Sequence, residues 1–120
     1  MSYDTNNIFA KIINKEIPAE IIYEDDDVIA FNDIAPAAPI HVLVIPKQNY
    51  CSFNDFMAQP DTEKIAIFFQ KIRMIANDIL KINETGYRLI TNHGTNASQT
   101  VFHFHVHIIS GKRLGKLIAD

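Results

Sequence analysis

Histidine alternates with large apolar residues in one segment near the carboxyl end of this chain. Residues 103–108 read His-Phe-His-Val-His-Ile. A period of two is typical of a β-strand, so we expect His103, His105 and His107 to share one face and the apolar side chains to share the other. The apolar face suits packing on a core, whereas a row of imidazoles fills a surface no better than Lys or Thr would. The alternation therefore favours chemistry over a surface strand that happens to be rich in histidine.

Metal binding is one chemistry that imidazoles support. Neighbours on one strand face lie roughly 6.6–6.8 Å apart, so a His-x-His pair can chelate one zinc ion. His103 and His107, however, would lie about 13 Å apart along the strand, which is a strained reach to one ion. The single cysteine, Cys51, offers no paired-cysteine spacing. We therefore predict no metal and no other cofactor, with a metal-binding protein as an alternative.

Nucleotidyl or phosphoryl transfer is the other chemistry that the segment indicates. A neutral imidazole attacks phosphorus well when an acceptor such as a carbonyl holds its other ring nitrogen as N–H. Flanking imidazoles can bind the phosphate oxygens or protonate the leaving group. The loop over residues 92–99, just before the histidines, is rich in amides and hydroxyls that suit a phosphate. One strand face would thus hold a nucleophile with helpers on either side.

Several motifs resemble the histidine-triad (HIT) nucleotide-binding family. Residues 103–109 are similar to its signature, in which three histidines alternate with hydrophobic residues. Residues 33–47, DIAPAAPIHVLVIPK, resemble the family block Asp-x-x-Pro-x-Ala-Pro-x-His-x-Leu-Val-Ile-Pro-Lys. Residues 8–19, and residues 86–88 followed by Asn92, are similar to the Hint-like branch. The resemblance covers roughly residues 8–110, with the motifs in the same order.

The resemblance implies a catalytic set of four histidines. His105 would be the nucleophile that takes the nucleoside monophosphate, with His103 and His107 orienting it and contacting the phosphate or leaving group. His41 would support the triad from a neighbouring strand. Asp33 would accept hydrogen bonds from both ribose hydroxyls.

The resemblance also implies the residues that bind the substrate. Asn92 and Thr100 would contact the phosphate or leaving group, with Thr100 where the branch usually has Ser. Ser98 would lie beside the phosphate where the branch usually has Gly, so its side chain would crowd the phosphate or demand a different backbone torsion. The base pocket would be lined by five apolar side chains: Phe9, Ile12, Phe31, Ile34 and Leu43.

Composition restricts the class of protein. A chain of 120 residues with 48% hydrophobic content suits one domain, residues 1–120. The formal net charge of −3 and the lack of a Lys/Arg cluster argue against a nucleic-acid partner. No stretch approaches the ~20 apolar residues of a membrane span, and the first residues lack a signal-peptide pattern. A single cysteine fits a reducing compartment, so we expect a cytoplasmic protein that binds no membrane.

Hydrophobic periodicity predicts an α+β fold. A short helix is expected over residues 8–14, capped by Asn6 or Asn7, and a long one from residue 61 or 62 to about 82, with a helical turn near 53–57. Five strands are expected over residues 21–24, 28–32, 41–45, 87–91 and 102–110, which suggests a mostly antiparallel sheet. Ile67 and Met74 widen the apolar arc of the long helix beyond one face, which favours a homodimer. The resemblance implies the HIT-like fold and the same dimer.

The functional expectation is a purine nucleoside phosphoramidase of the Hint-like type. It would hydrolyse the P–N bond of adenosine 5′-phosphoramidates to AMP and an amine through a nucleotidyl-His105 intermediate, without a cofactor. A dinucleoside polyphosphate hydrolase of the Fhit-like type shares the triad, although residues 33–47 favour the Hint side. A purine-nucleotide-binding regulator with incidental catalysis is the alternative from another class. The choice between adenine and guanine stays open.

Overall fold

A five-stranded antiparallel sheet forms the centre of the computed structural model, which describes residues 2–118. Met1, Ala119 and Asp120 lie outside the described residues. The strands are β1 (Ile21–Glu24), β2 (Val28–Asn32), β3 (Ile40–Pro46), β4 (Arg88–Ile90) and β5 (Val106–Ser110). Their spatial order is β1-β2-β3-β5-β4, and every neighbouring pair is antiparallel. The predicted α+β class with an antiparallel sheet is confirmed.

The helices begin at the capping residues that the sequence supplies. They are α1 (Ile8–Ile13), α2 (Phe53–Met57) and α3 (Thr62–Met74), which continues as a π-helical turn (Ile75–Ile79). The Asn7 side chain accepts a hydrogen bond from the Ala10 N–H, and Asp61 accepts one from the Lys64 N–H. Such caps satisfy backbone donors that have no partner inside the helix.

Two cores form because successive strand side chains point to opposite faces of the sheet. On one face, α2, α3 and the π-helical turn cover apolar residues of β2, β3 and β5: Val28, Ala30, Val42, Val44, Val106 and Ile108. On the other face, α1 covers residues from β2 and β3: Ile29, Phe31, Leu43 and Ile45. Burial of both faces explains why β2 and β3 read as nearly continuous apolar runs.

The strand predicted over residues 102–110 is shorter than expected, and this correction changes where two histidines lie. β5 begins at Val106, so His103 and His105 precede it. The ladder with β3 ends where Val44 faces Val106. Beyond this point Pro46 has no N–H to donate, and its carbonyl accepts a hydrogen bond from the His103 ring. Phe104 instead donates its N–H to the Tyr50 carbonyl.

Of the two residues that widen the apolar arc of α3, Met74 packs against the core and Ile67 is half-buried. The homodimer stays a prediction. No helix in the part of the chain that the structure describes has the length and apolar character needed to cross a membrane.

Candidate active site

His105 is held with one ring nitrogen free to react. Its Nδ1 lies 2.7 Å from the His103 carbonyl oxygen. A carbonyl can only accept, so Nδ1 carries the proton and Nε2 carries the lone pair in the neutral ring. The ring packs edge-on against Phe9, with centroids 4.9 Å apart. Burial is the main cause that lowers the pKa of His105, which keeps its Nε2 unprotonated near neutral pH.

His41 and His107 form a directed hydrogen-bonded pair beside the nucleophile. The Ala37 N–H donates to Nδ1 of His41 at 2.9 Å, so Nε2 carries the proton of the neutral His41 ring. That Nε2–H donates to Nδ1 of His107 at 2.8 Å. By the same logic the neutral His107 ring carries its proton on Nε2, the nitrogen that His41 does not occupy. His107 can therefore present a donor to a bound phosphate or leaving group.

Asp33 approaches the same pair. Its Oδ2 lies 3.4 Å from Nε2 of His41, and its Oδ1 accepts a hydrogen bond from the Ala35 N–H. Ligand atoms of Asp33, His41 and His107 all lie within 4.8 Å of one another, close enough to be tested as a metal site. A metal needs a lone pair on Nε2 of His41, yet the bond from Ala37 places a proton there. The directions of these hydrogen bonds therefore suit proton transfer better than metal binding.

His103 does not line the pocket with His105 and His107, although the sequence predicted one shared face for all three histidines. Its ring is fully buried, with Nε2–H donated to the Pro46 carbonyl at 2.7 Å and Nδ1 accepting from the Tyr3 hydroxyl at 2.5 Å. Burial lowers the pKa of His103 to about 4, so the ring is neutral. Since both ring nitrogens are occupied, the expected contact of His103 with the phosphate does not fit this geometry. His103 acts on His105 through its backbone carbonyl.

A pocket of about 830 Å³ reaches from these imidazoles to α1. His105, His107, Thr100 and Asp33 line it as polar groups. Four of the five predicted base-pocket side chains are buried in its wall: Phe9, Ile12, Phe31 and Leu43. Ile34 lies on the loop after β2 and is fully exposed, so it contributes only to the rim. A volume of this size, mostly apolar with a few convergent polar groups, is typical of a ligand site.

Part of the pocket wall was missed by the sequence argument. Residues 17–20, which follow α1, line the pocket together with Val101. Residues 16–19 carried part of the family resemblance, and Pro18 marks the end of α1, so the segment was visible but received no role. Its position opposite β2 depends on how the chain turns back after α1, and hydrophobic periodicity does not show such a turn.

Asn92 and Ser98 are not among the residues that line this pocket. Ser98 has φ 60° and ψ 36°, the left-handed conformation that favours glycine, after a 3-10 turn (Thr95–Ala97). Of the two alternatives expected for Ser98, crowding of the phosphate or a different backbone torsion, the structure supports the different torsion. Buried Gln99, which the sequence argument did not single out, organises the loop: its Oε1 accepts from the Gly94 N–H and its Nε2 donates to the Cys51 carbonyl.

The structure combines a five-stranded antiparallel sheet with a nucleotide-sized pocket that ends at hydrogen-bonded imidazoles. These features define a class of small domains with a site built from histidines. Residues 14–114 match the HIT domain family. The chain is 53% identical to an uncharacterized HIT-like protein of Rickettsia prowazekii over 97% of this chain and 96% of that protein. It is 39% identical to the purine nucleoside phosphoramidase of Escherichia coli over 93% and 92% of the two chains.

Solved structures agree with the sequence comparison. A HIT family hydrolase from Clostridium thermocellum superposes with a TM-score of 0.85 at 44% identity, over 95% of this chain and 97% of that one. A histidine triad protein from Clostridium difficile gives a TM-score of 0.87 at 39% identity, over 98% and 100%. The chain belongs to the HIT family, and its fold is the HIT fold.

Proposed function

We propose that this protein is a hydrolase that cleaves the P–N bond of purine nucleoside 5′-phosphoramidates, releasing a nucleoside monophosphate and an amine. One observation carries the proposal: the Nδ1–H of His105 is held by the His103 carbonyl, which leaves Nε2 as a nucleophile at the polar end of the pocket. The name of the Escherichia coli relative, at 39% identity, supports the same substrate class.

The first step would transfer the nucleotide to His105. Nε2 attacks phosphorus, the P–N bond breaks, and its electron pair goes to the amine nitrogen. His107 in its imidazolium form gives that nitrogen a proton. Burial and the charges of His105 and His41 hold the pKa of His107 down to about 4, whereas the Asp33 carboxylate and the anionic phosphate of a substrate favour its charged form.

The second step would release the product. Water attacks phosphorus and gives its proton to His107, which restores the imidazolium. The bond between phosphorus and Nε2 breaks, and its electron pair returns to His105. Every step uses side chains of this chain, and no cofactor enters the proposal.

His105→Ala is the direct test of this proposal. We expect the variant to lose at least about a thousand-fold in kcat on an AMP-amine substrate, as removal of a nucleophile does. His93→Ala is the matched control, because His93 is exposed and does not line the pocket. Assaying wild type on a diadenosine polyphosphate as well separates this activity from dinucleoside polyphosphate hydrolysis. Full activity of His105→Ala would refute the nucleophile, and failure of wild type to cleave the P–N bond would refute the substrate class.

We also propose that the protein is a homodimer, as the family resemblance implies, that it is cytoplasmic, as its single cysteine suggests, and that its partner is a purine nucleotide substrate. Sedimentation would then give twice the 13.6 kDa mass of one chain.

A further inference from the structure

The segment before α1 and α1 itself each contact one ring of the histidine triad. The Tyr3 hydroxyl donates to Nδ1 of His103, and the two rings meet edge-on with centroids 5.5 Å apart. Six residues further along, Phe9 packs edge-on against His105. Sequence patterns gave Tyr3 no role, and it does not line the pocket.

Tyr3 completes the hydrogen bonding of a fully buried ring. The Nε2–H of His103 is taken by the Pro46 carbonyl, so Nδ1 is the acceptor that remains, and the Tyr3 hydroxyl supplies the donor. One donor and one acceptor on opposite sides of the ring fix its tautomer and its rotation. Without the hydroxyl, a buried lone pair would lose its partner, which proteins rarely tolerate.

The orientation of His103 matters because of what its backbone does. Its carbonyl accepts the Nδ1–H of His105, the bond that leaves Nε2 free. His103 and His105 lie ahead of β5, so ladder hydrogen bonds do not hold them in place. The segment is held instead by the Phe104 N–H on the Tyr50 carbonyl, by the Thr91 hydroxyl on the His105 carbonyl and by the two bonds of the His103 ring. A shift of that ring would move the carbonyl on which the His105 tautomer depends.

We infer that Tyr3 is a positioning residue for the nucleophile: its hydroxyl anchors the His103 ring, so that the His103 carbonyl holds His105 with Nε2 directed at phosphorus. The role in turnover rests on the proposed function, whereas the effect on the His105 tautomer does not.

A purely structural role for Tyr3 makes a different prediction. The turn at residues 4–7 joins Tyr3 to α1, since the Asp4 carbonyl accepts from both the backbone N–H and the side-chain amide of Asn7, which caps that helix. α1 carries Phe9 and Ile12 of the pocket wall. If Tyr3 only anchored α1, its loss would weaken nucleotide binding. If it positions His105, its loss would lower kcat and leave nucleotide affinity unchanged.

The test compares Tyr3→Phe with Tyr23→Phe. The control removes a tyrosine hydroxyl that donates to Asp25 at 2.7 Å, at the β1–β2 turn and outside the pocket. For Tyr3→Phe we expect a roughly ten-fold fall in kcat, the size of one lost hydrogen bond expressed at the transition state. The Kd for AMP should stay within about two-fold of wild type, and Tyr23→Phe should match wild type in both.

A spectroscopic measurement makes the test independent of turnover. In wild type, ¹⁵N NMR of the imidazoles should show His105 as the Nδ1–H tautomer, and in Tyr3→Phe a mixture of both neutral tautomers. An unchanged tautomer with unchanged kcat would overturn the inference. So would an affinity for AMP that falls in parallel with kcat, or a variant that does not fold, because either result would show that Tyr3 only anchors α1. If wild type cleaves no phosphoramidate, the proposed function fails and the tautomer alone decides the role of Tyr3.

Discussion

The proton on His105 sits on the nitrogen that does not react, and its position has a consequence for the pH dependence of the rate. Burial lowers the pKa of His105, so Nε2 stays unprotonated below the ordinary value of about 6.5. We expect kcat/KM to hold or rise as the pH falls from about 7.5 to 6.0. A loss of about four-fold over this range would show instead that His105 titrates like a free imidazole with a pKa of about 6.5. NMR titration of the His105 ring would locate its pKa directly.

Asp33 gives a second prediction at the residue scale. It lines the pocket between the imidazoles and the apolar wall, and its carboxylate is one-fifth exposed. If it accepts the two ribose hydroxyls, Asp33→Ala should weaken AMP binding about ten- to a hundred-fold, because hydrogen bonds to a charged acceptor are strong. Binding of 2′-deoxy-AMP should change less, so that the ribose preference narrows. Equal discrimination in the two proteins, measured by titration calorimetry, would refute the ribose role.

At the scale of elements, the sequence predicted β1 and β2 at their observed bounds because each is a short apolar run between turn residues. The starts of the helices followed from their caps and periodicity, whereas the long helix, predicted to about residue 82, ends at Met74 and continues only as the π-helical turn to Ile79. The conformation of the chain at His103 and His105, the first two histidines of the triad, did not follow from the sequence pattern. Strand alternation extended β5 to residue 102, but the end of the ladder is set by Pro46, which is distant in sequence. Tyr3 was missed for the same reason: 100 residues separate it from His103.

The cap of α1 tests how far this element holds the base pocket. Asn7→Ala removes the side-chain bond to the Ala10 N–H, which should cost about 1 kcal/mol of unfolding free energy. Because α1 carries Phe9 and Ile12, we expect KM for the nucleotide substrate to rise more than kcat falls. Asp61→Ala removes the equivalent cap of α3 and should lower stability similarly without changing KM. Equal effects of the two variants on KM would contradict the link between α1 and the pocket.

For the whole molecule, the buried imidazoles link folding to pH. Burial lowers the pKa of His103 to about 4, and burial with neighbouring charge does the same for His107. As the pH falls through about 6.5, the unfolded chain binds protons at these residues before the folded chain does, so the unfolded state is favoured. The stability they contribute is therefore complete above pH ~6.5 and is lost progressively towards pH ~4, by up to about 3 kcal/mol for the fully buried His103 ring and by less for the partly exposed His107 ring.

Urea unfolding at pH 7.5 and 5.0 should show the loss, with a smaller difference in His103→Gln, whose side chain does not titrate. His93→Ala, at an exposed loop position, should keep the wild-type difference between the two pH values. A stability that does not change between pH 7.5 and 5.0 would mean that these rings are not held neutral by burial.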